Sequence, residues 1–171
     1  MTFEEMAKKR YSVKKFKNTP VEPEKLQKIF EVAGIAPTAR NAQAAHIYVI
    51  KSPEALKKAN ELTPCIYGAP IALLFTYSTK EYYPYPKEPT QHSGDEDAAI
   101  LATHVMFEAL ESRLATLSKN FKSDVQKRPC KSFTCMGVSY FNQERPLISA
   151  KKLPRDSANA MTMMMLIGMA V

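Results

Sequence analysis

The sequence predicts one domain that mixes α-helices with β-strands, and three observations carry that expectation. Apolar residues recur at helical spacing in several stretches that open with capping signals. Two short apolar runs bounded by turn-forming residues read as strands. The chain of 171 residues, 45% hydrophobic, suffices for one sizeable core and calls for no second. The formal charge of +7 suits an anionic ligand, nucleic acid or an acidic surface, and bears on association rather than on fold. Cys65, Cys130 and Cys135 are odd in number and lack paired metal-ligand spacing, which argues against a disulfide framework and against a zinc site. The opening Met1-Thr2-Phe3-Glu4-Glu5 is acidic rather than signal-like, and no apolar run is long enough for a bilayer. A cytoplasmic protein without a membrane partner is expected.

In chain order, Thr2 and Glu5 form a capping box for a short helix striped by Phe3, Met6 and Ala7, which delivers Arg10 to its end. Pro20 and Pro23 punctuate the next turn. Pro23 suits the first position of a helix with Leu26, Ile29, Phe30 and Ala33 at helical spacing, and Gly34 and Pro37 stop it. Residues 46–50 read as a strand, and Ser52-Pro53-Glu54 opens a helix through Leu56, Ala59 and Leu62. Tyr67-Gly68-Ala69-Pro70 precedes residues 71–75, an almost continuous apolar run typical of a strand covered on both faces. Residues 81–89 hold too much proline for a helix or an inner strand, so they form a loop whose tyrosines either line a pocket or cover a sheet edge. Asp95, Glu96 and Asp97 place acid at the start of a buried helix that runs to about Leu114 through Ala98, Leu101, Ala102, Val105, Met106 and Ala109. His46, His92 and His104 read as structural histidines.

Two stretches carry chemistry. In Lys9-Arg10-Tyr11-Ser12-Val13-Lys14-Lys15-Phe16, a guanidinium, a hydroxyl and an ammonium stand at positions 10, 12 and 14. An extended segment points all three the same way, and the mixture of fork, neutral donor and point charge suits a phosphate monoester. A solvated basic helix end is the alternative. In Ala36-Pro37-Thr38-Ala39-Arg40-Asn41-Ala42-Gln43, small residues let a flat ring approach the backbone, while Asn41 and Gln43 supply amide donors and acceptors. Ordinary loop chemistry is the alternative here.

Together the two stretches resemble the amino-terminal signature of the FMN-dependent nitroreductase family, in which an Arg-Arg-Ser-Val-Arg-x-Phe pattern precedes a helix and then Ala-Pro-Ser-x-x-Asn-x-Gln-Pro-Trp. Arg10, Ser12, Val13, Phe16, Ala36, Pro37, Asn41 and Gln43 match; Lys14 and Thr38 are conservative replacements; Ala44 and Ala45 replace the usual Pro and Trp. The Gly68-Ala69-Pro70 turn and the helix beginning near Gly94 are also similar to the family, whose long core helix supplies dimer contacts. Beyond Leu114 the likeness fades. Arg113-Leu114-Ala115-Thr116 keeps only Leu and Thr of the family's Gly-Leu-Gly-Thr, and residues 136–140 and 145–147 are faint echoes of its closing strand and tail.

The resemblance implies an α+β, α/β/α sandwich with a mostly antiparallel central sheet, its last part incomplete in this chain. Residues 1–116 would form the flavin-binding core, and residues 117–171 a divergent carboxy-terminal segment that is not an independent domain. It also implies a homodimer with FMN at the subunit interface, bound by Arg10, Tyr11, Ser12, Lys14, Pro37, Thr38, Ala39, Asn41 and Gln43. Arg10, Ser12 and Lys14 would take the phosphate, Asn41 the polar edge of the ring, and the backbone of residues 37–39 would come from the partner. NAD(P)H would supply a hydride to the flavin, which passes electrons to a nitroaromatic or quinone-like acceptor in a ping-pong cycle. No side chain is indispensable to that scheme as an acid or base, so no catalytic residue is assigned, and no metal.

The methionine-rich end, Met161 to Val171, has neither helix caps nor the polar residues of a finished surface. One expectation is a coding sequence that shifted frame or decayed after about residue 113; the other is a divergent branch with its own extension. Two rival functions follow: a remnant of the family that no longer closes the flavin site, and a nucleic-acid binder built on Lys119-Asn120-Phe121-Lys122 and Lys127-Arg128. The second has the weaker case, since no binding motif frames those residues, and no nucleic-acid partner is expected.

Overall fold

In the computed structural model, which describes residues 1–62, 66–88, 90–120, 138–142, 145–148 and 159–170, the chain runs α1 (Phe3–Lys9), α2 (Pro23–Gly34), β1 (Ala45–Ile50), α3 (Pro53–Leu62), β2 (Ile71–Ser78), α4 (Gly94–Glu111), β3 (Ala115–Asn120), β4 (Val138–Asn142), β5 (Arg145–Ile148) and β6 (Asn159–Gly168). The six strands form one sheet in the order β3-β6-β2-β1-β4-β5, and all five ladders are antiparallel.

Local chemistry accounts for the early elements. Thr2 and Glu5 close the capping box at α1, the Thr2 hydroxyl accepting from the Glu5 N–H at 3.2 Å and Glu5 accepting from the Thr2 N–H at 2.8 Å. Pro23 opens α2, where its missing N–H costs no helical hydrogen bond. At α3 the Ser52 hydroxyl accepts from the Ala55 N–H at 3.2 Å.

The sheet separates two apolar layers through the period-two alternation of its strands. Ile47 and Val49 of β1, Ile71, Leu73 and Phe75 of β2, and Met165 and Ile167 of β6 face α2 and α4, packing with Ile29, Phe30, Ala33, Leu101 and Val105. Tyr48, Ile50, Ala72, Leu74, Met164 and Leu166 face the other way, onto Ala55 and Ala59 of α3 and onto Val13 and Phe16. This is the α/β/α sandwich. Every residue of β2 is buried, as a strand covered on both faces requires.

β6 occupies the place that the sequence left unexplained. The methionine-rich end lies between β2 and β3, pairing Met165 with Leu73 on one side and with Ser118 on the other. Met164, Met165, Leu166 and Ile167 are all buried. The absence of polar facing residues therefore has a structural reason over residues 164–168, where neither face of the strand meets water. Of the faint echoes of the closing strand and tail, residues 138–140 and 145–147 fall in β4 and β5 beyond β1, and residues 136 and 137 lie outside the described residues. Residues 121–137 and 149–158, including most of the basic segment considered for nucleic acid, lie outside the described residues.

α4 ends earlier than expected, at Glu111 rather than near Leu114. Its last turn closes as a Schellman motif: the Leu114 N–H donates to the Ala109 carbonyl at 2.7 Å and the Arg113 N–H to the Leu110 carbonyl at 2.9 Å. That closure needs a left-handed residue after the cap, and Arg113 takes it with φ 60°. A non-glycine residue there costs about 1–2 kcal/mol.

Candidate functional site

The segment after α1 is stitched to the sheet by backbone hydrogen bonds. The Val13 N–H donates to the Thr116 carbonyl at 3.1 Å, the Phe16 N–H to the Tyr67 carbonyl at 3.2 Å, and the Lys17 N–H to the Met169 carbonyl at 2.8 Å. Ser12 pairs with Thr116, and Phe16 with Ala170. Gly168 permits this closeness, because a Cβ there would stand 2.6 Å from Pro70 Cδ and 3.1 Å from the Phe16 ring. The clamp segment is thus held by the beginning of β3 and by the residues that follow β6.

Beside it lies a cleft of about 530 Å³ between the end of α4 and the amino-terminal segment, lined by Lys9, Arg10, Tyr11, Glu111, Arg113 and Thr116 among others. Arg10 and Tyr11 face this cleft, and Tyr11 is 64% exposed. Ser12 and Lys14 are exposed but do not line it. Strict alternation along residues 10–16 is not kept. Val13 and Phe16, three apart, are both buried in the same apolar layer, so the chain bends at Lys14 between them.

The second stretch folds against the other end of α4. The Ala39 N–H donates to Asp97 Oδ1 at 2.9 Å, and the Gln43 N–H to the Thr38 hydroxyl at 3.1 Å. Arg40, Asn41 and Gln43 all have positive φ, at 52°, 56° and 51°. This coiling leaves Pro37 and Asn41 exposed, with Thr38, Ala39 and Gln43 half-buried. The Asn41 carbonyl oxygen accepts from the Gln43 amide at 3.2 Å, which leaves the Asn41 amide NH2 pointing its donors elsewhere. Sequence reasoning took Asp97 only as a helix-start acid. It is 2% exposed and also accepts from the Ser93 hydroxyl at 2.8 Å, so it anchors the loop. Its separation of 58 positions from Ala39 gives no local signal.

The tyrosine loop closes over the same end of α4. Tyr82 stacks on His92 with ring centroids 4.2 Å apart, Tyr77 packs against His92 at 5.2 Å, and the Arg40 guanidinium lies 5.2 Å from the centroid of Tyr83. Burial pushes the Tyr77 phenol up to about 12, with Asp95 and Tyr82 adding to the rise. The rings pack mainly on one another.

His104 is half-buried, with Nδ1 2.9 Å from the Ile100 carbonyl of its own helix. His46 is 8% exposed, and its Nε2 lies 3.9 Å from Glu81 Oε2. Burial holds its pKa below 6.5, with the Glu81 charge acting in the opposite direction. The native state therefore favours the neutral ring, while the unfolded chain binds the proton at about pH 6.5. Unfolding free energy should fall as pH drops below that value toward the lower folded pKa. Urea titrations between about pH 5 and 7.5 should show this loss in the wild type and a shallower one in His46→Gln.

Among the described residues no cluster of His, Cys, Asp and Glu has the arrangement of a metal site, and no helix is long and apolar enough to cross a membrane.

The sheet and its flanking helices form the nitroreductase fold, an α+β sandwich. A nitroreductase family protein from Clostridium difficile 630 is similar at 27% identity and a TM-score of 0.75, covering 99% of this chain and 85% of that one. A nitroreductase with bound FMN from Bacteroides fragilis has a TM-score of 0.68 at 15% identity, covering 98% and 88%. Another with bound FMN, from Desulfitobacterium hafniense DCB-2, has a TM-score of 0.62 at 19% identity, covering 99% and 90%. At sequence level the model of the nitroreductase family matches residues 7–63. No curated protein matches the sequence.

Proposed function

We propose that this protein is an FMN-dependent, NAD(P)H-oxidising oxidoreductase of the nitroreductase type that works as a homodimer. The observation that carries this reading is a coincidence of place. The residues matched by the family, 7–63, contain both the cationic clamp and the amide-bearing loop, and the fold holds each at one end of α4. Lys9, Arg10 and Arg113 around the cleft suit a phosphate, with Ser12 and Lys14 exposed next to it in sequence. The small residues and the exposed Asn41 amide of the loop suit the edge of a flat heteroaromatic ring. The residues present therefore fit FMN.

Within one chain these two features are far apart. The helical rise from Asp97, beside the loop, to Leu110, beside the cleft, is about 20 Å. A second copy that sets its loop, residues 37–43, against the first copy's clamp would complete one cofactor site from two chains. Arg10, Ser12 and Lys14 would then neutralise the phosphate, Tyr11 would flank it, and Pro37, Thr38, Ala39, Asn41 and Gln43 would position the ring. When bound, FMN supplies the two-electron chemistry that links NAD(P)H to an electron-poor acceptor such as a nitroaromatic or a quinone. The side chains bind, orient and shield; none is assigned as an acid or base.

Purified protein tests this directly. A dimer that is yellow, or turns yellow with added FMN, and whose flavin band NADH or NADPH bleaches anaerobically, is the expected result. Colourless protein that takes up no FMN would overturn it, and FMN uptake without bleaching by either nucleotide would reduce the function to flavin binding.

A further inference from the structure

We propose that Arg113 is a phosphate-holding residue of the same site, a role that rests on the FMN reading above. It occupies the one turn position after α4 where the Schellman closure demands a left-handed backbone, at φ 60°. Glycine satisfies that demand without strain, and arginine does not. A strained conformation kept where a simpler residue would relieve it points to work done by the side chain.

The surroundings specify that work. Arg113 lines the cleft together with Lys9 and Arg10, and Glu111 is the single carboxylate among the lining residues. Glu111 Oε1 lies 3.6 Å from the Met1 amine. Among the described residues, Lys9, Arg10 and Arg113 have no carboxylate partner within ion-pair distance. Cations that border one cleft and have no ion pair at contact distance offer that cleft to an anion. A phosphate monoester carries a charge of roughly −1.5 to −2 and presents three acceptor oxygens. Guanidinium forks meet it two bonds at a time. Ser12 pairs through its backbone with Thr116, three residues after Arg113, so the turn that carries Arg113 and the segment that carries Arg10 border the same cleft. The flavin's 5′-phosphate is assigned here rather than a nucleotide's 2′-phosphate, because Arg113 shares its cleft with Arg10 of the matched signature.

Replacing Arg113 by glycine tests strain and binding together. The apo form of Arg113→Gly should melt about 2–4 °C higher than the wild type. Its affinity for FMN should fall about tenfold, the loss expected of one charge-assisted contact, while its affinity for riboflavin, which lacks the phosphate, should be unchanged. Flavin fluorescence titration reads both ligands, and Arg113→Lys should fall between wild type and glycine for FMN. If the wild type binds FMN and Arg113→Gly binds it equally well, the assignment is overturned and the cofactor reading stands. If instead only the preference for NADPH over NADH changes, the anion is the nucleotide's and the assignment to flavin phosphate is overturned. A wild type that takes up no FMN would overturn the cofactor reading and this assignment with it.

Discussion

A chain ending at residue 158 is expected not to fold. β6 lies between β2 and β3, and Met164, Met165, Leu166 and Ile167 are buried within it. At about 1.5–3 kcal/mol for each large apolar side chain, their burial contributes about 6–12 kcal/mol. A domain of this size is stable by about 5–15 kcal/mol in all. Removing the strand also leaves β2 with an unpaired edge deep in the sheet and separates β3 from it, the arrangement that favours aggregation. The loss reaches the candidate site, since the Met169 carbonyl and Ala170 hold Lys17 and Phe16 in place. Circular dichroism and size-exclusion chromatography should show an unfolded or aggregated product. A truncated chain with a cooperative melt and native elution would contradict the account of β6. The milder Met165→Ala should fold and lose about 2–5 kcal/mol in urea denaturation.

Asp97→Ala is expected to cost about 3–6 kcal/mol and to loosen the loop that carries Asn41. The buried carboxylate accepts from the Ala39 N–H and from the Ser93 hydroxyl, and hydrogen bonds to charged groups contribute about 1.5–3 kcal/mol each. Ser93 in turn accepts from the Tyr83 N–H at 3.1 Å, so the substitution disturbs the tyrosine loop as well. Asp97→Asn keeps an acceptor for Ala39 and should lose about 1 kcal/mol. If the loop meets the flavin ring as proposed, the alanine variant should weaken riboflavin and FMN by the same factor in flavin titrations. That is the opposite of the pattern expected at Arg113. An alanine variant as stable as the wild type would show that Asp97 does not anchor the loop, and one that discriminates between the two flavins would show that the loop does not meet the ring.

Much of this architecture was legible from local signals. The capping box at Thr2, proline at the first position of α2, the apolar runs of β1 and β2 bounded by turn residues and the acid-led start of α4 each lie within a few residues of the structure they specify. The cationic segment and the amide-bearing loop stood out by residue type; in the structure Arg10 lines a cleft and Asn41 is exposed. Three features were not legible in this way. A strand buried on both faces shows an unbroken apolar run rather than alternation, so β6 carried no sign of its register or its neighbours. Arg113 read as a departure from Gly-Leu-Gly-Thr, yet its backbone takes the conformation that a glycine would. Asp97 read as a helix-start acid, because a partner 58 positions away leaves no mark nearby.

By itself, the sequence determined the helices α1 to α4, the strands β1 and β2, and which side chains carry charge and amide groups, since backbone propensity, capping and apolar patterning act within one or two turns of chain. Tertiary structure alone decided that the last strand sits beside the middle of the sheet, that Arg113 joins Arg10 around one cleft, and that the clamp and the loop lie at opposite ends of α4. The physical reason is that strand pairing and site assembly bring together groups distant in the chain, and their free energy comes from burial and hydrogen bonding that exist only once those partners meet.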